Sequence, residues 1–156
     1  MSMIGYAAWA FAAGALIPLM AILNAGLARA TGGFVQATVL LFAIGLATSL
    51  VLAAVVSARI PGLTTLVGVA PRQYAGGLIV AFYVLSITFL APRFGVGNAI
   101  LLAVTAQLLT SAAIDHYALA GAALRPMTLV RGIGLAVVVV GVVITQAGDR
   151  MLGTFR

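Results

Sequence analysis

The stretch GFVQATVLLFAIGLATSLVLAAVVS, residues 33–57, carries no charged side chain over a length that exceeds the roughly 20 residues a helix needs to cross the hydrocarbon core of a bilayer. Four more stretches of the same kind flank it, at about 3–28, 73–91, 97–118 and 129–147. Arg, Pro and Gly punctuate the joins. Thr31-Gly32-Gly33 closes the first span, and Arg59-Ile60-Pro61-Gly62 through Pro71-Arg72 forms the longest connection. Pro92-Arg93-Phe94-Gly95 makes a tight one, and Gly121 to Pro126 precedes the last span. The pattern is that of an all-α integral membrane protein with five transmembrane helices in a single membrane domain, 1–156. The first stretch lacks a preceding Lys or Arg and is too long for a signal-peptide core, so it is expected to stay as a helix of the mature protein.

Composition agrees. Of the 156 residues 64% are hydrophobic and 6% charged, which leaves too little polar surface to cover a water-soluble fold. The net charge of +6 comes from eight arginines that stand singly along the chain, with no cluster able to track a phosphate backbone, so nucleic acid is not an expected partner. Lys, Glu and Cys are absent, the only acids are Asp115 and Asp149, and His116 is the only histidine. Such a chain offers neither paired carboxylates for hydrolysis nor the ligands of a metal site. No enzyme, cofactor or metal function is expected.

Short loops rich in Lys and Arg stay cytoplasmic, so arginine placement bears on orientation. The side holding the N-terminus carries Arg59, Arg72, Arg125 and Arg131; the other side carries Arg29, Arg93, Arg150 and Arg156. Four face four. Either something outside this count sets the orientation, such as the free amino terminus, or the chain inserts both ways and opposite copies pair. The pair would be an antiparallel homodimer of ten helices, the two-chain counterpart of the inverted repeats of many transporters.

Polar side chains inside spans are costly in lipid and are therefore functional candidates. In the fourth span Gln107, Ser111 and Asp115 recur every four residues and share a helix face. Gln107 falls near mid-span and Asp115 near the end. A carboxylate at a helix C-terminus opposes the macrodipole, so another interaction must hold it. Two accounts are open: an interfacial ion pair with Arg125 or Arg131, or a substrate-cation or proton site. His116, on the opposite side of the helix, suits a C-terminal turn. Tyr83 and Ser86 near the middle of the third span are candidates for a cavity lining or for interhelical packing. Pro18 should kink the first span, with Asn24 within two turns of it. In the last span Gly134 and Gly141 lie on one face with Thr145 and Gly148, a surface that lets another helix approach closely.

Three segments carry a resemblance: GALIPLMAILNAGL from Gly14 to Leu27, QYAGGLIVAFYVLSITFLAPRFGVGNA from Gln73 to Ala99, and AQLLTSAAIDHYALAG from Ala106 to Gly121. Together they resemble the five-helix YdcZ-like family of bacterial inner-membrane proteins, a branch of the drug/metabolite transporter superfamily. The most specific parts are Ala-Pro-Arg-Phe-Gly at 91–95 and Gln107 with Asp115-His116. The resemblance implies a multi-pass protein of the bacterial inner (cytoplasmic) membrane and transport of an unnamed substrate. Its single, paired and fused genes, the fused forms with ten helices in two inverted halves, imply antiparallel pairing. The run from Pro126 to Val143 is also similar to the last helix of the small multidrug resistance proteins, which dimerises through two glycines seven apart, as Gly134 and Gly141 are. The chain departs from the family in carrying Met20 where Gln is common, and Ala106 and Ala118 where Gly is common. Small multidrug resistance proteins exchange protons and cations at a Glu of their first helix. This chain has no acid there, so that coupling does not carry over.

The expectation is a secondary transporter working by alternating access, with a weakly charged cavity lined by Asn24, Tyr83, Ser86, Gln107 and Ser111 from both copies. A small neutral, zwitterionic or amphipathic metabolite suits such a lining. The alternatives are a non-transporting membrane scaffold or partner subunit and a lipid-type flippase.

Overall fold

The structure, a computed structural model, describes residues 2–151, with the backbone alone at 63 and 149–151. Arg156, counted above in the tail charge, lies outside the described residues, as do the side chains of Asp149 and Arg150. Six helices follow one another: α1 Met3–Thr31, α2 Phe34–Val55, α3 Leu63–Val67, α4 Ala75–Phe94, α5 Val96–Tyr117 and α6 Leu129–Met151. A short 3-10 turn, Pro71–Tyr74, leads into α4, and another, Leu119–Gly121, follows α5. All but α3 are long and apolar enough to cross a membrane, and the chain is multi-pass.

Local chemistry sets the helix ends. Ser2 caps α1 by accepting the Gly5 N–H at 3.2 Å. At the other end Gly32 adopts φ 88°, a left-handed position that suits glycine. The expected first connection was Thr31-Gly32-Gly33, yet Thr31 remains helical. Its hydroxyl donates to the Leu27 carbonyl at 2.8 Å, and Arg29 in the last turn faces the negative end of the dipole. Likewise the third span runs past its expected end at Ala91, through Pro92 and Arg93, to Phe94. Proline removes only the N–H that the Thr88 carbonyl would accept, and the Arg93 guanidinium bonds the next carbonyl, Phe89, at 2.8 Å. The turn to α5 is thereby reduced to Gly95, at φ 89°.

Hydroxyls inside spans are mostly satisfied by their own helix. Those of Thr38, Thr48, Ser49 and Thr105 each donate to the carbonyl four residues earlier, which removes the cost of an unpaired donor in lipid.

The chain forms two compact units, one ending at Val96 and the other beginning at Gly97. In the first, α1, α2 and α4 pack on one another around Ala21, Ala25 and Ala37, with Val84, Ile87 and Ala91 on the α4 side. Small residues let the backbones approach where no hydrophobic effect drives helices together. Phe34 packs edge-on against Phe89 at 5.2 Å, and Arg93 stacks on the same ring at 3.8 Å. Away from this core, Met3, Ile4 and Phe11 are at least four-fifths exposed. Such a surface is stable against acyl chains and not against water.

In the second unit α5 and α6 form an antiparallel hairpin fastened near both ends. Gln146 donates to Asn98 at 3.1 Å at one end, and Arg131 meets Asp115 at the other.

Candidate functional site

Two polar arrangements bring expected site residues into contact with another helix, one in each unit. In the first, Asn24 of α1 is 3% exposed and donates its side-chain Nδ2 to the hydroxyl of Thr88 on α4, itself 2% exposed. That hydroxyl donates in turn to the Val84 carbonyl at 2.7 Å. The chain of donors fixes the amide's orientation, because a hydroxyl whose proton is already committed can only accept from Asn24. The Asn24 Oδ1 is left buried without a partner.

Each member of this pair borders a different recess. Asn24 lines a groove of about 350 Å³ along α1 and α2, whose other seven lining residues, from Leu16 to Ile44, are all apolar. Thr88 lines a second recess of about 510 Å³ with Arg29, Gly32, Phe34 and Arg93.

In the second unit, Arg131 Nη2 lies 2.7 Å from Asp115 Oδ2, with the side chains 36% and 32% exposed. Of the two arginines weighed for Asp115, Arg131 makes the contact. Arg125 instead donates its backbone N–H to the Asp115 carbonyl oxygen at 2.8 Å. The antiparallel hairpin explains the pairing. Asp115 in the last turn of α5 and Arg131 in the first turns of α6 each oppose their own helix dipole, and each faces the favourable end of its neighbour's. Thr128 completes the start of α6 by accepting the Arg131 N–H at 3.2 Å. His116 Nδ1 accepts the Met127 N–H at 2.9 Å, so the neutral ring carries its proton on Nε2. His116 thus serves the same corner as Asp115 by a different contact, through its ring nitrogen and the Met127 N–H.

The remaining candidates are spread along the helices. Tyr83 and Ser86 are half-buried on α4, while Gln107 and Ser111 are exposed on α5. The Ser111 hydroxyl donates to the Leu108 carbonyl at 3.0 Å. Gly134 and Gly141 are exposed on α6, where an added Cβ would meet nothing within 4 Å. Among the described residues no group of three or more His, Cys, Asp or Glu is close enough to hold a metal. Thr88 and the Asn98–Gln146 pair are the polar contacts that sequence reasoning missed. A threonine in a helix usually satisfies itself on the preceding turn, so nothing in its neighbours marks a second partner 64 residues away.

A protein family described as "Putative inner membrane exporter, YdcZ" matches the chain over residues 5–144. The chain belongs to the YdcZ family. The match takes in all of α2 to α5 and most of α1 and α6, so the YdcZ match covers Asn24, Thr88, Asp115, His116, Arg131, Gly134 and Gly141, and stops short of Thr145, Gln146 and Gly148. No curated protein and no solved structure matches the chain.

Proposed function

We propose that the chain is a secondary exporter of the drug/metabolite type, which moves a small neutral, zwitterionic or amphipathic metabolite by alternating access in an antiparallel homodimer of ten helices. The observation that carries the reading is Asn24, a buried amide with an unmatched oxygen beside an open groove. A scaffold has no use for an unmatched acceptor, since ordinary interhelical hydrogen bonds satisfy their groups. The state of Asp115 supports a weakly charged substrate. Its carboxylate is already engaged by Arg131 near the end of α5, so it offers no free charge to a cation. Tyr83, Ser86, Gln107 and Ser111 are proposed to complete the lining, and Gly134 and Gly141 to form the contact between copies. Family membership supports export as the direction.

A second reading has one observation in its favour. Leu16, Leu23 and Ile44 along the groove are each more than three-fifths exposed, so the groove opens sideways, as a lipid-type flippase requires.

Proteoliposome flux measurements across amino acids, sugars, polyamines, lipid-like cations and short-chain lipids test both. Metabolite flux that Gln107→Leu abolishes while folding and dimerisation persist is the expected result, because Leu is fully compatible with the bilayer. Absence of substrate-dependent flux from the whole panel would end the exporter reading. Movement of the lipid probes alone would favour the flippase.

A further inference from the structure

We propose that the recess at the ends of α1 and α4 is a binding site for the phosphate of an anionic phospholipid, received by the guanidiniums of Arg29 and Arg93. Both side chains line this recess of about 510 Å³, together with Thr88 and with Gly32, Gly33 and Phe34 where α2 begins. Arg29 is in the last turn of α1 and Arg93 in the last turn of α4, so the recess lies where two spans leave the hydrocarbon.

The first support is where the two guanidiniums sit. Arginine near the end of a span ordinarily extends outward and carries its charge to water. Here both turn back along their own helices. Arg93 Nη1 donates to the Phe89 carbonyl, four residues earlier, with the guanidinium over the Phe89 ring. Arg29 Nη2 lies beside Gly26, 3.7 Å from where a Cβ of that residue would stand. Three or four residues are roughly 4.5–6 Å of helix, so each charge is held about one turn inside the end of its span.

The second is the charge balance around them. The sequence has no Asp or Glu before Asp115, so the unit that ends at Val96 has no carboxylate to offer. The negative ends of α1 and α4 do less, about half a charge each, and the start of α2, where Gly33 supplies no side-chain cap, returns about half in the opposite sense. Two full positive charges are thus only partly offset, and the balance calls for an anion.

Depth decides its source. A free phosphate ion would have to shed its hydration to reach guanidiniums set inside the span ends. The phosphate of a phospholipid is held at that level by its own acyl chains. Leu23, two residues before Ala25 of the lining, and Val35, next to Phe34, are at least half exposed and give those chains an apolar surface. Basic recesses between membrane helices bind anionic headgroups by this chemistry. The headgroup is selected by charge. Phosphatidylcholine carries the same phosphate with a trimethylammonium, which would find no acid on the lining and two guanidiniums of its own sign. The glycerol of phosphatidylglycerol avoids that repulsion. The site is independent of the exporter reading, since neither arginine is among the residues proposed to line the cavity.

Native mass spectrometry of the full chain in mild detergent, with phosphatidylglycerol and phosphatidylcholine of matched acyl chains in equal amounts, tests it. The wild-type chain should retain phosphatidylglycerol over phosphatidylcholine by about thirtyfold, the fold-change of two contacts of about 1 kcal/mol each. Arg29→Gln and Arg93→Gln should each reduce the preference to about fivefold, and the double variant should erase it. Arg29→Lys, which keeps the charge, should keep the preference. Arg59→Gln and Arg72→Gln remove the same charge from exposed positions outside the recess and should leave it unchanged. A preference that falls equally in all four single Gln variants would reduce the effect to diffuse charge and overturn the proposal. So would equal retention of the two lipids by the wild-type chain, a result that needs no variant to fold. Millimolar inorganic phosphate should not displace the bound lipid. Displacement would make the recess a site for free anions and overturn the lipid assignment.

Discussion

At position 118 the chain carries an alanine in a conformation that suits glycine. Ala118 sits at φ 50° and ψ 41°, where Cβ crowds the backbone, and the family that the sequence resembles often has glycine there. The turn it opens is tight because Arg125 and Met127 bond back onto Asp115 and His116. Ala118→Gly should therefore stabilise the chain by about 0.5–1 kcal/mol, the left-handed penalty less the entropy that glycine adds to the unfolded chain. Thermal unfolding in mild detergent reads this as a higher midpoint, and a lower one would show that the turn does not control the corner. The ion pair beside it invites a double-mutant cycle. Asp115 and Arg131 are each about one-third exposed, so water still screens them. Asp115→Asn should cost no more than about 1 kcal/mol, and the coupling to Arg131→Gln should fall within roughly 0.2–1 kcal/mol. Flux should persist in Asp115→Asn if the pair only fastens the hairpin. Loss of pH dependence in that flux would instead make Asp115 a proton carrier.

Among the elements, α6 presents two faces with different work. Arg131, Val142 and Gln146 are buried or half-buried and two of them reach α5, whereas Gly134 and Gly141 lie on an exposed flank with open space around them. A Cβ at 141 would meet nothing within 4 Å, and removing a helix glycine gains up to about 1 kcal/mol of propensity, so Gly141→Leu should fold at least as well as the wild type. If this flank packs against a second copy, the same change adds a layer of side chain between the backbones and should weaken dimerisation by about tenfold or more. Cross-linking or light scattering in mild detergent would show unchanged dimers if the interface lies elsewhere. The contrast also explains how far the sequence could be read. The five spans were legible because absence of charge over a bilayer's thickness is a signal within one stretch of chain. The glycine row was legible as a face, but its partner is not encoded in its spacing. Asn24 stood out because an amide in a span needs a reason. The reason lay in Thr88, a residue whose hydroxyl looks satisfied by its own helix.

For the molecule as a whole, the open question is which way it crosses the bilayer. Insertion depends on the difference in Lys and Arg between the two sides, counted in short loops near the span ends. Here the difference is zero, four arginines against four, and no lysine is present to tip it. The structure keeps the loops short where the rule acts most strongly, since α1 and α2 are separated by Gly32 and Gly33 alone and α4 and α5 by Gly95. Long soluble segments that would translocate regardless of charge do not occur between the described helices. With so little bias, two or three added Lys residues should decide the outcome. Placed in the 59–72 connection, which lies on the side of the N-terminus, they should hold that side in the cytoplasm. Placed after α6 they should hold the opposite side there. Reporter fusions at the C-terminus, one active only in the cytoplasm and one only outside it, should both give signal in the unmodified chain and only one in each charged variant. A single active reporter in the unmodified chain would mean that one orientation is already set. Copies would then face the same way, and the antiparallel homodimer, with the alternating access built on its symmetry, would have to be given up.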